Sequence, residues 1–236
     1  MLSTDATTVI EGDFKGQLVL TCEHASRRLP SGWQWHPDDA WLVQTHWASD
    51  IGADDFTRGL ASAVNAPAVL SNFSRLLVDT NRPLDSDTLF RRFADDRPVH
   101  LNASITEDDS ERRLQDYYHP YHQAVSEMVG KSSAEIVFGV HSFTAEYEGR
   151  RRTLEVGVLF DHDEDLASSF VDHLRESDFN VAPNEPYSGK DGLAYSPVRH
   201  ATEFARKALE IEVRQDLIVD AGFAERLISS IQTFFR

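Results

Sequence analysis

The chain has 236 residues, 41% of them hydrophobic, and a formal charge of −16 at pH 7. That length and apolar share suffice for a sizeable core and exclude a disordered chain; the acidic balance disfavours a nucleic-acid backbone or an anionic membrane as partner. No apolar run approaches the roughly 18 residues of a membrane span, the start MLSTDATTVIEGDF lacks a basic-then-apolar signal peptide, and the lone cysteine, Cys22, excludes an intrachain disulfide, so a cytoplasmic protein is expected.

No repeat or low-complexity linker interrupts residues 1–236, and one domain is expected. Short apolar runs predict strands over Gln17–Cys22, Ala68–Ser71, Leu76–Asp79, Ile136–His141, Leu154–Phe160 and Ala208–Val213. Helical patterns cover Asp39–Trp47, Asp50–Val64, Glu111–Val129, Glu164–Glu176 and Phe223–Phe235. In the second, Ser49 suits an N-cap, and Ile51, Phe56, Leu60 and Val64 form an apolar stripe. Arg91–Asp109 and Ala182–Gly192 read as polar surface excursions. Strands alternating with helices predict an α/β fold of three layers around a mixed, largely parallel sheet.

In such sheets, sites form beyond the carboxyl ends of strands. Four predicted strands end in reactive residues. LVLTCEHAS ends in His24, and EIVFGVHSFTA ends in His141, so two histidines at neighbouring strand ends can share a metal. A carboxylate third ligand is offered by Glu23 or Asp50. SRLLVDTNRP carries Asn81 and Arg82, with Arg75 nearby; an arginine fork reads a carboxylate at two points. In ALEIEVRQD, Glu210, Glu212 and Arg214 share one strand face opposite Leu209, Ile211 and Val213, and a carboxylate there suits a general base. The tyrosines and histidines of YYHPYH (Tyr117–His122) suit a pocket lining or plain packing, and Arg150–Arg152 reads as a solvated turn.

CEHAS, HWASDIGA, SRLLVDTNRP, YYHPYH, VHSFT, NEPYSGKDG and IEVRQD, in this order, resemble the N-formylglutamate amidohydrolase family over about residues 17–235. DTNR, VHSF and IEVR are also similar to segments of zinc carboxypeptidases and aspartoacylases. The resemblance implies a three-layer α/β/α sandwich of phosphorylase/hydrolase type and zinc as cofactor. It implies hydrolysis of an N-formyl or N-acyl amino acid, a small carboxylate, in amino-acid catabolism. The metal ligands it implies are His24, Asp50 and His141. Those relatives carry His-x-x-Glu at the first strand end, whereas Arg27 stands three residues after His24 here. The second ligand therefore comes from elsewhere: Asp50 by the HWASDIGA segment, with Glu23 and His46 as alternatives. Strand alternation turns Glu23 away from His24. By the same resemblance Glu212 is the general base and Arg75 stabilises the oxyanion. Asn81 and Arg82 hold the substrate's amino-acid carboxylate, Arg214 contacts either Glu212 or a second substrate carboxylate, and the loop bearing Tyr187, Ser188 and Lys190 closes over the site. A carboxypeptidase-like or deacylase activity, or a carboxylate-binding relative without catalysis, stands beside this reading; the missing glutamate motivates the last.

Overall fold

Alternation in the central strands creates the layers. Leu18, Leu20 and Cys22, with Phe138, Val140, Leu209 and Ile211, build a core on one face; Val19, Val69, Val137 and Ala208 join a second core on the other. In the computed structural model, which describes residues 2–236, the strands are β1 (Leu2–Ser3), β2 (Thr7–Ile10), β3 (Leu18–Cys22), β4 (Ala68–Ser71), β5 (Phe93–Ala94), β6 (Arg97–Pro98), β7 (Ile136–Phe143), β8 (Glu146–Tyr147), β9 (Arg150–Arg151), β10 (Val156–Leu159), β11 (Val181–Pro183) and β12 (Lys207–Arg214). The main sheet runs β1-β2-β4-β3-β7-β12-β10-β11. Its centre, β4-β3-β7-β12, is parallel, while β2 and β10 pair antiparallel with their inner neighbours. The pairs β5-β6 and β8-β9 are separate small hairpins.

The helices are α1 (Ala53–Val64), α2 (His100–Ala103), α3 (Glu107–Arg113), α4 (His119–Lys131), α5 (Glu164–Glu176), α6 (Tyr195–Glu203), α7 (Gln215–Ile218) and α8 (Ala221–Phe234). Phe56 and Leu60 of α1, Phe170 and Leu174 of α5, and Leu227 and Ile231 of α8 cover the first face. Tyr121, Val125 and Val129 of α4 and Ala201 of α6 cover the second. The expected three-layer α/β arrangement around a mixed sheet is therefore present, and no helix is long and apolar enough to cross a membrane.

Several local expectations are corrected. Leu76–Asp79 is a buried turn, not a strand. β4, the strand just before it, is already paired on both sides, by β2 and β3, so it offers the segment no open side. Its carbonyls find side chains instead: Asn102 Nδ2 donates to Leu76 O and Arg113 Nη1 to Leu77 O. Asp39–Trp47 is a short 3-10 turn followed by further turns. The carboxylate of Asp39 is committed elsewhere, accepting from the backbone N–H of His100 and Leu101. The helix after Asp50 starts at Ala53 behind Gly52, with no side-chain cap from Ser49. Gly52 has φ 84°, and a Cβ there would meet Ile218 Cγ2 at 2.5 Å, so glycine is required. The helix around Tyr117–His122 is part of a longer run, α3 joined to α4 by a π-helical turn, Leu114–Tyr118. Arg91–Asp109 is no simple excursion, because Val99 and Asn102 are fully buried.

Candidate active site

The strand ends converge as the sheet geometry requires. β12 pairs with β7 so that Glu212 stands beside His141, and the β3–β7 register, which aligns Thr21 with Gly139, continues to bring Glu23 beside His141. His24 lies just beyond β3. The Asp50 N–H donates to the His24 carbonyl at 3.0 Å, which fixes the Asp50 turn against that strand end. Three donor atoms then meet. Asp50 Oδ2 lies 2.8 Å from His141 Nδ1 and 3.3 Å from His24 Nδ1, and the two nitrogens are 3.1 Å apart. All three residues are buried.

The opposite ring nitrogens are backed by carboxylates. His24 Nε2 is 2.8 Å from Asp79 Oδ1, and His141 Nε2 is 2.9 Å from Glu23 Oε2. This is the support that metal-binding histidines use, since it fixes the tautomer and leaves the inner nitrogen to the ion. Glu23 thus points away from His24, as alternation requires, and reaches the far side of His141, where Tyr121 Oη donates to its other oxygen. Asp79 and Tyr121 were missed as supporting residues; the signal for Asp79 was its place in SRLLVDTNRP, one residue before Thr80-Asn81.

The donor set fits a divalent cation. Glu23, Asp50, Asp79, Glu210 and Glu212 are all buried around the two histidines, and of the cleft's guanidiniums Arg75 is ion-paired with them, to Asp50 and Asp79. Burial pushes His141 down, but Glu210, Asp50 and Glu23 together hold its pKa well above the usual value, as expected where this much negative charge gathers around one imidazole. Burial opposes ionisation of Glu23, yet its hydrogen bond to His141 brings it down to about 2. A second donor group, His141, Glu210 and Glu212, shares the same histidine. There Glu210 Oε2 is 3.5 Å from His141 Nε2 and already accepts from Asn81 Nδ2, so the first group converges better.

These residues line the floor of a cleft of about 250 Å³. Burial, and then the neighbouring Asp50 and Glu210 carboxylates, raise Glu212 well above an ordinary carboxyl pKa, against the pull of His141. Its Oε2 is buried and has no hydrogen-bond partner among the described residues. His46, Trp47, Arg75, Arg82, Arg91, Tyr147 and Tyr187 complete the walls. Arg75 is engaged, donating from Nη2 and Nε to Asp79 Oδ2 at 2.8 and 3.2 Å, with Nη1 3.5 Å from Asp50 Oδ1.

Other expected site residues do different work. The Asn81 amide is fully committed: Oδ1 accepts from Ser196 N, and Nδ2 donates to Leu193 O and Glu210 Oε2. It ties the start of α6 and Glu210 together rather than offering a free donor. Arg214 is turned out of the cleft, bonding Asp216 and the carbonyls of Arg152, Thr153 and Leu154. Its position at the very end of β12, beside β10, brings those carbonyls within reach. Ser188 stands just before a 3-10 turn without a side-chain capping bond, Lys190 pairs with Glu164, and neither lines the cleft, whereas Tyr187 does. His46 lines the cleft without joining the donor group. Of the basic run, Arg152 is half-buried: its guanidinium lies over the Phe143, Tyr147 and Tyr187 rings. The YYHPYH residues buttress the site from behind, with Tyr118 Oη donating to Arg82 O and His122 bonded to His200 at 2.9 Å.

The family model for N-formylglutamate amidohydrolase matches residues 16–219. The chain belongs to the N-formylglutamate amidohydrolase family. It is therefore an amide-bond hydrolase by family. The crystal structure of gene product Atu2144 from Agrobacterium tumefaciens is similar over 98% of this chain and 93% of that one, at 30% identity and a TM-score of 0.90. The N-formylglutamate amidohydrolase from Ralstonia eutropha JMP134 shares the fold over 98% of this chain and 96% of its own, at 19% identity and a TM-score of 0.67. No curated protein sequence matches the chain.

Proposed function

We propose that this family member hydrolyses the amide bond of an N-formyl or N-acyl amino acid, with N-formylglutamate-like substrates preferred, and that it uses zinc. One observation carries the reading. Two carboxylate-backed histidines and Asp50 converge within 3.3 Å beside a buried glutamate whose Oε2 has no partner. His24, Asp50 and His141 would hold the ion, which supplies Lewis-acid activation of water and of the amide carbonyl.

Glu212 takes the proton from the attacking water and returns it to the leaving nitrogen. Its raised pKa suits that exchange, because a carboxyl that binds protons strongly is the better base. Arg75 borders the cleft and is fixed by Asp79, so its positive charge faces the developing oxyanion without reorganising. Arg82 holds the substrate carboxylate. Its Nη1 and Nε bond Asn81 O and Thr88 Oγ1, which orients the rest of the fork.

The test is metal content together with turnover. Purified protein should bind one zinc per chain and hydrolyse N-formyl amino acids. Glu212→Gln should keep the metal and lose about 10²- to 10⁴-fold in kcat. A protein that neither binds zinc nor gains activity on its addition would sink the proposal. A panel running from N-formyl to longer N-acyl amino acids and dipeptides separates deformylase from deacylase or carboxypeptidase activity.

A further inference from the structure

The cleft holds three guanidinium groups, and they are not equivalent. Arg75 is paired with Asp79 and Asp50. Arg82 bonds only a carbonyl and a hydroxyl, Asn81 O and Thr88 Oγ1. Arg91 has neither a hydrogen bond nor an ion pair from its side chain among the described residues; its guanidinium carbon lies 5.2 Å from the centroid of the Trp47 ring. The chain carries far more acid than base, so two guanidiniums without a carboxylate partner in one cleft are not a matter of supply.

The Arg91 side chain is also set in a built surrounding. Trp47 is oriented by its Nε1–H, which donates to Asp95 Oδ2 at 3.0 Å. The Arg91 carbonyl accepts from the fully buried Asn102, and the next carbonyl, Arg92 O, accepts from Val99 N. The backbone that aims Arg91 is therefore anchored on the core side, and the aromatic face supports the guanidinium plane. A half-buried cation with no counter-charge costs free energy until an anion arrives. Burial and the nearby Arg75 both lower its pKa, which is the signature of that cost.

We infer that Arg91 is a specificity-determining residue that binds a second carboxylate of the substrate, while Arg82 binds the first. The preferred substrate is then an N-acyl derivative of an amino acid with an acidic side chain, small enough for a cleft of about 250 Å³. This rests on the function proposed above, and it assigns the side-chain preference to one residue in a segment that reads from sequence as a surface excursion. Each carboxylate meets a planar fork, so charge and geometry are read together.

The experiment compares kcat/KM for N-formylglutamate and its near-isostere N-formylglutamine, using zinc-loaded wild type, Arg91→Met and Arg91→Lys. Wild type should prefer the dianion by about 30-fold, as expected for a charge-assisted bond to a half-buried arginine. Arg91→Met should bring the ratio close to one, chiefly by raising KM for N-formylglutamate, and Arg91→Lys should recover part of it. A wild-type ratio near one overturns the inference, as does a Met variant that keeps the wild-type ratio or loses equally on both substrates. If wild type hydrolyses no N-formyl amino acid, the functional proposal fails separately. Calorimetric binding of glutarate against glutaramate to wild-type protein then decides on Arg91: a preference of about tenfold for the dianion that disappears in Arg91→Met sustains it, and equal affinities overturn it.

Discussion

Asp79→Asn tests whether the carboxylate behind His24 orients a metal ligand. Oδ1 of Asp79 accepts from His24 Nε2 at 2.8 Å and from Asn81 N at 2.9 Å; Oδ2 accepts from Arg75 Nη2 at 2.8 Å. An asparagine keeps the shape but must turn its NH₂ toward one of these donor pairs. If it faces Arg75, a buried ion pair is broken; if it faces His24, the imidazole loses its acceptor and rotates. Losing such support behind a ligand histidine costs about 10- to 100-fold in metal affinity, or roughly 1.4–2.7 kcal/mol. Arg75, left with only the 3.5 Å contact to Asp50, adds a stability cost of about 3 kcal/mol, at the low end for a broken buried pair because that contact remains and its side chain is 18% exposed. Zinc affinity should be measured by competition with a chromophoric chelator, and metal-free stability by urea unfolding, with the exposed Asp172→Asn as control. A folded Asp79→Asn protein whose zinc affinity stays within about twofold of wild type would refute the reasoning.

Other outcomes follow from features outside the metal ligands. Burial, and then the charge of Arg199, hold the pKa of His200 down to about 4 and that of His122 to about 2. The unfolded state takes up these protons near pH 6.5, so this contribution to stability is complete above that pH and falls as the pH drops toward the folded values. Between pH 7.5 and 5 the loss approaches about 2 kcal/mol for each histidine; His200→Asn should show a loss about 2 kcal/mol smaller than wild type in urea unfolding, and parallel losses would contradict the assignment. Gly52→Ala must adopt a positive φ and displace Ile218, so it should lower stability by about 2 kcal/mol or more, read as a fall in the urea midpoint; an unchanged midpoint would mean the turn relaxes freely.

Much of the site was legible because its residues sit where regular structure ends. His24 and His141 follow apolar runs that can only be buried strands, and Glu212 lies on the charged face of an alternating one. Period-two alternation also turned Glu23 away from His24. It did not tell which neighbour Glu23 would meet, because that depends on the lateral order β3-β7-β12. Asn81 and Arg214 had the right chemistry for substrate binding, yet their donors are consumed by Leu193, Glu210, Asp216 and main-chain carbonyls distant in sequence.

The sequence by itself determined the layers and the residues that can do chemistry, since side-chain periodicity and strand ends are local properties of the chain. Tertiary structure alone decided the partners. Leu76–Asp79 has a strand's composition, but the strand before it is already paired on both sides and the segment turns, its carbonyls taken by side chains; Arg91 lies in a polar stretch with no periodic signal, yet Asn102 draws its backbone to the cleft. Hydrogen bonds and charge pairs across tens of residues have no local signature, because they depend on which surfaces the finished fold brings together.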